Sequence, residues 1–430
     1  MTEAFLQYVW QHQLITSPLR TTDGRSVKVL RVGDPNHDAG PDFFNSRLII
    51  DDMEWAGNVE LHLSSSDWYA HRHSSDPHYN NVILHVVYTH DRDITLANGV
   101  TPPTVELRHF MHEALVRNYD SLNAPLPDDG IPCARRLGEV PPIVIKSFLD
   151  RMTVERIEAK SVVVRRLLDE SHGNWEQTCY WLFAHYFGGT VNALPFELLA
   201  KATDQRLLAR WKDQPQRLEA ILYGQAGMLD SYFDDDYPRM LQADYEALRQ
   251  GAALTPIDNT IWRYHCLRPS GFPTIRISQF ATLVSRSSNL FATLLDITDA
   301  KALLALFACT ASPYWDNHYR FDHTTERSTP KRIGRSLAVS LIINAWVPLL
   351  FVYGALHGQQ QYKDQALSLL QQLPAEDNAV VREWVATGII PENAAQSQAL
   401  LHLKHTFCSS RRCLECRIGY NILKQSSSST

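Results

Sequence analysis

Apolar residues recur at short, changing intervals along the first hundred positions and at helical intervals along most of the rest. Phe5, Leu6, Val9 and Trp10 stand three and four apart, which predicts an amphipathic helix over residues 2–13. Residues 26–32 predict a strand, closed by the turn-forming Gly33, Asp34, Pro35 and Asn36. Phe43–Ile50 and residues 55–63 predict a hairpin joined through Asp51 and Asp52, in which Val59, Leu61 and Leu63 alternate with Asn58, Glu60 and His62. A short helix over 66–73, capped by Ser66 or Asp67, and a buried strand over 81–88 complete the order helix, three strands, helix, strand.

From about residue 107 the helical period dominates. Ile145, Phe148, Leu149 and Met152 open a long helix running towards Leu168. Further helices are expected at 175–187, 192–225, 238–250, 276–308, 334–357, 362–373 and 378–405. The fold class read from this pattern is α+β: a mixed domain over 1–122, a linker rich in Pro, Asp and Gly over 123–132, a helical domain over 133–424 and a disordered tail over 425–430.

Charge sharpens the division. The chain carries 41 Lys and Arg against 47 Asp and Glu, a net of −6, so it has no chain-wide positive field for nucleic acid or an anionic membrane. Residues 1–110 hold 8 basic against 14 acidic residues and 9 of the 18 histidines, whereas the remainder is balanced. Seven cysteines, an odd number in a large chain, speak against a secreted disulfide scaffold and for a bacterial-type cytoplasm. The apolar run 337–356 contains Ser340, Asn344 and Pro348, and is expected to be a buried core helix, with no membrane partner.

The densest chemistry lies in the acidic quarter. If the hairpin forms, Asp42 begins one strand and Glu60 and His62, two residues apart, project from one face of its partner. Carboxylates and a nitrogen donor on adjacent strands form a site for a divalent metal, Mg or Mn, that activates water. His71, His73 and His85 are candidate assistants; with His62 or Asp67 they would instead form a zinc site. The same histidines also suit a polar structural network.

The helix, three strands, helix, strand order, with Pro41-Asp42 at the second strand and Glu60-Leu61-His62 on the third, resembles the core of the PD-(D/E)XK nuclease superfamily. The resemblance implies metal binding by Asp42 and Glu60. It puts His62 where those nucleases carry lysine, and histidine is not a permanent cation near neutral pH. The wider sequence, with Gly40 to Phe43, Gly57 to His62, Phe187-Gly188 and Arg268 to Arg276, is similar to an uncharacterised bacterial family of unknown function, DUF2851-like, which implies no activity.

Near the end, Cys408, Cys413 and Cys416 have the spacing C-x4-C-x2-C. With Cys133 as a fourth ligand they would bind an iron–sulfur cluster; with His405, a structural zinc. Cys179, Cys266 and Cys309 stand singly and read as small core residues. Arg268, Arg276, Arg411 and Arg412 are candidate contacts to nucleic acid, since guanidinium forks suit phosphate oxygens. Together these readings point to metal-dependent phosphodiester hydrolysis on DNA or RNA. The alternatives are a nucleic-acid-binding or interaction protein that keeps the fold without catalysis, and a zinc-dependent hydrolase of a small substrate.

Overall fold

The computed structural model describes residues 1–16, 18–36, 38–125, 130–251, 254–265, 267–287 and 289–425. Cys266, residues 126–129 of the expected linker and residues 426–430 of the expected tail lie outside the described residues. The chain forms two compact units. One comprises Met1–Phe148, Arg382–Ile389 and Leu403–Thr430, the other Leu149–Val381 and Ile390–His402. The division therefore falls at residue 148, beyond the expected linker, and the chain returns twice to the first unit. A single cut along the sequence cannot describe that, because packing, and not chain order, decides membership.

The first unit opens with helix α1 (Glu3–Gln11), whose N-cap Thr2 accepts a bond from Phe5 N–H. Its strands are β1 (Leu19–Arg20), β2 (Ser26–Arg31), β3 (Asp34–Pro35), β4 (Phe43–Ile50), β5 (Met53–Ser64), β6 (Val82–Thr89) and β7 (Thr104–Glu106). They lie in the order β1-β2-β4-β5-β6-β7, with β3 on β4. Strands β2, β4 and β5 are antiparallel neighbours, and β6 and β7 run parallel to β5. The four longer strands match the expected ones to within two residues. The short β1, β3 and β7 were not expected, since strands of two or three residues leave no period to read.

The hairpin turns through Asp51 and Asp52, with Ile50 opposite Met53. The register of β4 and β5 slips between Phe43 and Ser46, where Asn45 takes φ 57°. This bulge re-aims the start of β4, which Asp42 immediately precedes. Gly57 is required on β5: a Cβ there would stand 2.4 Å from Ile83 Cγ2 and 2.7 Å from Asn81 O. The close approach presses β5 onto the entry of β6 and puts Glu60 opposite His85. The alternation of apolar and polar residues on β5 does not leave one face in water, because the strand is buried on both faces from Gly57 to His62.

Beyond the sheet come α2 (Asp67–Ala70), α3 (Glu113–Asn123) and α4 (Pro142–Glu170). The expected helix over 66–73 is a single turn. Its Ser66 makes no side-chain cap, and Asp91 accepts from Ser66 N–H and Ser65 Oγ instead.

The second unit is helical around one large core containing Phe183, Tyr223, Phe280, Trp315 and Trp346. Two expected long helices are broken by local chemistry, and a third, 378–405, divides into Ala379–Ala386 and Ala394–Leu403, with Gly388 at φ 91° between them. Asp204 caps a new helix and Pro215 starts another within 192–225; Asp299 does the same within 276–308. In the apolar run, a wide five-residue turn (Ile342–Trp346) precedes Pro348, whose missing N–H would leave a carbonyl one turn back unpaired. Among the described residues, Arg335–Leu356 is the one helix long and apolar enough to cross a membrane, and 78% of its most apolar window is buried in the protein. A two-stranded sheet, His318–Arg320 with His323–Thr324, departs from the all-helical expectation for this part of the chain.

Candidate metal centre

Parallel pairing of β6 to β5 sets Glu60, His62 and His85 on one sheet face. His62 Nδ1 shares a hydrogen bond of 2.9 Å with His85 Nε2, so His62 Nε2 is the nitrogen left to face outward. That nitrogen lies 3.1 Å from His71 Nδ1 and 3.7 Å from Glu60 Oε1, and His73 Nε2 lies 3.4 Å from the same Glu60 oxygen. The candidate ligand atoms of His62, His71 and His73 are all within 4.8 Å of one another. Bonds of 2.0–2.1 Å from zinc to nitrogen or oxygen imply ligand separations of about 3.3 Å in a tetrahedral shell. Three donor pairs, at 3.1, 3.4 and 3.7 Å, stand near that spacing.

His71 and His73 converge because of the residue between them. Arg72 takes φ 63° and ψ 25°, a left-handed conformation that turns the chain between the two imidazoles. Both rings then face His62, with centroids 5.0 and 5.4 Å from it. A non-glycine residue in this region costs on the order of 1 kcal/mol, and such strain gathers at functional positions. His73 is further held by Tyr79, stacked at 3.9 Å, and by the edge of buried Trp68 at 5.2 Å. The periodicity missed Trp68 and Tyr79 as parts of the site, although their place beside the histidine segment was a usable signal.

Asp42, expected as a metal ligand, is hydrogen-bonded at both carboxylate oxygens. Its Oδ1 accepts from Gln7 Nε2 on α1 at 2.8 Å, and its Oδ2 accepts from Leu61 N–H at 2.9 Å. Its own N–H donates to Glu60 Oε2 at 3.0 Å, leaving Glu60 Oε1 turned to the imidazoles. The Asp42 N–H thus aims Glu60, and the donors gathered beside it are three imidazoles with the Glu60 carboxylate next to two of them. That set is richer in nitrogen than Mg or Mn prefer and suits zinc or a neighbouring transition metal.

Burial sets the protonation of these donors. Burial pushes the Glu60 carboxyl up to about 8; the bond from Asp42 N–H opposes this and Glu3 adds to it. Burial, then the adjacent Glu60 and Glu3, push Asp42 up to about 7 against the bonds from Leu61 and Gln7. Burial with neighbouring imidazoles drives His62 far down and His85 to about 3, and burial lowers His73. Neutral imidazoles beside carboxylates that resist ionisation form a donor set that a divalent cation would stabilise. Access is graded: His85 and His62 are buried, His73 is half-buried, and His71 is exposed.

The other expected residues fall elsewhere. Cys133, Cys408, Cys413 and Cys416 line one cavity in the first unit. Arg411 donates to the carbonyls of Leu122 and Ala124, and Arg412 pairs with Glu415 and covers the Phe407 ring, so both are engaged within the fold. Arg268 is exposed in the second unit, where Arg276 is half-buried and donates to Gln279.

No curated protein and no solved structure matches the chain. The family described as "Protein of unknown function (DUF2851)" matches residues 3–379, most of the sequence and all of the donor set built here, and the chain belongs to that family.

Proposed function

We propose that this protein is a cytoplasmic metal-dependent hydrolase of phosphodiesters, with Glu60, His62, His71 and His73 as the metal ligands. The observation that carries the reading is the convergence of three imidazoles, one of them the exposed His71, with a Glu60 oxygen 3.4 Å from His73 and 3.7 Å from His62. A divalent ion so held supplies a water acidified towards neutral pH and polarises a phosphoryl oxygen. Glu60 and His62 bind from the sheet, Asp42 fixes the Glu60 carboxylate, and His85 holds the His62 ring in the orientation that presents Nε2. Support for a nuclease-like core comes from the order of α1, the β2-β4-β5 meander, α2 and parallel β6, with Asp42 entering β4 and Glu60 on β5. Thiols free at all six described cysteines support the cytoplasmic placement.

A second reading, a zinc hydrolase of a small substrate, is favoured by the nitrogen-rich donor set and by the use of Arg411 and Arg412 inside the fold. One experiment separates them. The purified chain is incubated with fluorescent single- and double-stranded DNA and RNA in Mg²⁺, Mn²⁺ or Zn²⁺, beside a panel of small phosphate and acyl esters. Cleavage of a polynucleotide that is lost in His73→Ala supports the first reading. Turnover of small esters alone supports the second. Salt-sensitive binding without turnover of either class refutes both and leaves a binding protein.

A further inference from the structure

Four cysteines from distant stretches of sequence meet in the first unit. Cys133 precedes the tight turn Ala134–Glu139, Cys408 ends the wide turn Lys404–Cys408, and Cys416 is the N-cap of the C-terminal helix Arg417–Lys424, with Cys413 between the last two. All four are free thiols on the wall of one cavity, which Leu122 and Phe407 also line.

The surroundings hold this arrangement from several sides. Buried Asn118 on α3 donates to the carbonyls of Ile422 and Gln425 at 3.0 and 2.9 Å, and accepts from Arg136 Nη1 at 2.7 Å. One side chain thereby ties the turn that follows Cys133 to the helix that follows Cys416. Arg411, at φ 54°, reaches back to the end of α3. Gly419 allows the helix to lie against the cysteine loop, since a Cβ there would stand 2.1 Å from Cys413 O. Burial raises the Cys416 thiol, and the Gly419 and Ile418 N–H groups act against that in favour of negative charge on the sulfur.

We propose that Cys133, Cys408, Cys413 and Cys416 are the four ligands of an iron–sulfur cluster that clips the C-terminal segment to the segment after α3. Two independent features carry this. The C-x4-C-x2-C spacing with one distant cysteine is an iron–sulfur ligand spacing, and the fold delivers that distant cysteine to the same cavity. The centre is separate from the histidine and glutamate donors, so it stands or falls without the hydrolase reading.

The test is anaerobic purification of the full chain, followed by absorbance spectroscopy and assay of iron, acid-labile sulfide and zinc. The expected result is brown protein with a broad band near 400 nm that dithionite bleaches. Iron and sulfide should be present in equal amounts. Cys413→Ser, at the least buried of the four positions, and Cys133→Ser should each lose most of the band, while His73→Ala keeps it in full. Retention of native circular dichroism in Cys413→Ser separates loss of a ligand from loss of fold. Colourless wild-type protein overturns the proposal, whether its thiols carry zinc or nothing after reconstitution with ferrous iron and sulfide. A band that survives both cysteine substitutions also overturns it.

Discussion

Glu60→Gln should make the metal-free protein more stable at alkaline pH. Folded Glu60 holds its proton up to about pH 8, against an ordinary 4.5. The folded state therefore binds this proton more tightly than the unfolded one. Its contribution to stability is complete below pH 4.5 and is lost as pH rises towards 8. At roughly 1.4 kcal/mol per pH unit, the three units from 4.5 to 7.5 amount to about 4 kcal/mol. Glutamine keeps an oxygen for the Asp42 N–H and removes the titration. It also removes the Glu60 charge that helps raise Asp42, which adds in the same direction. The assay is urea denaturation of chelator-stripped wild type and variant at half-unit steps from pH 5 to 8.5. The difference between the two proteins cancels every shared group except those, such as Asp42, that titrate against Glu60. It should be small at pH 5 and grow to several kcal/mol in favour of glutamine by pH 8. Zn²⁺ at a thousandfold excess over Kd should close the gap, because it stabilises wild type by about 4.1 kcal/mol. A difference that stays flat from pH 5 to 8 would refute the buried-carboxylate argument.

Arg72→Gly should preserve metal affinity in calorimetry, since glycine adopts the left-handed turn without strain, whereas Arg72→Val should weaken it at least tenfold by separating His71 from His73. Equal affinities for these two variants would remove the turn from the account. His85→Ala should lower metal affinity by about 10- to 100-fold with all proposed ligands intact, because it frees the His62 ring; the same titration reads it, and an unchanged Kd counts against the orienting bond. Gly57→Ala should cost about 1–3 kcal/mol in thermal or urea unfolding, as the added methyl meets Ile83 and Asn81, and a neutral substitution would show that β5 and β6 can part without penalty.

How much of this was legible before folding differs from element to element. Period-two alternation located β4 and β5, the apolar run located β6, and the i, i+3, i+4 spacing located α1, because burial of one face or both leaves its mark in local order. The two-residue separation of Glu60 and His62 already placed them on one face, and the spacing of Cys408, Cys413 and Cys416 already marked a thiol cluster. The partners of these groups were beyond such reading. His85 joins His62 because β6 pairs parallel to β5 at one register, and no local pattern states which strand lies beside which. His71 and His73 turn inward through one residue at positive φ, an arginine that propensity would not select. Asp42 is held by Gln7, a residue 35 positions away, and Cys133 reaches its triplet across most of the chain. Periodicity records which side of an element is buried; which atoms then meet is decided by long-range packing, where strand register, one strained turn and a few directed hydrogen bonds choose among arrangements that the local pattern leaves equal.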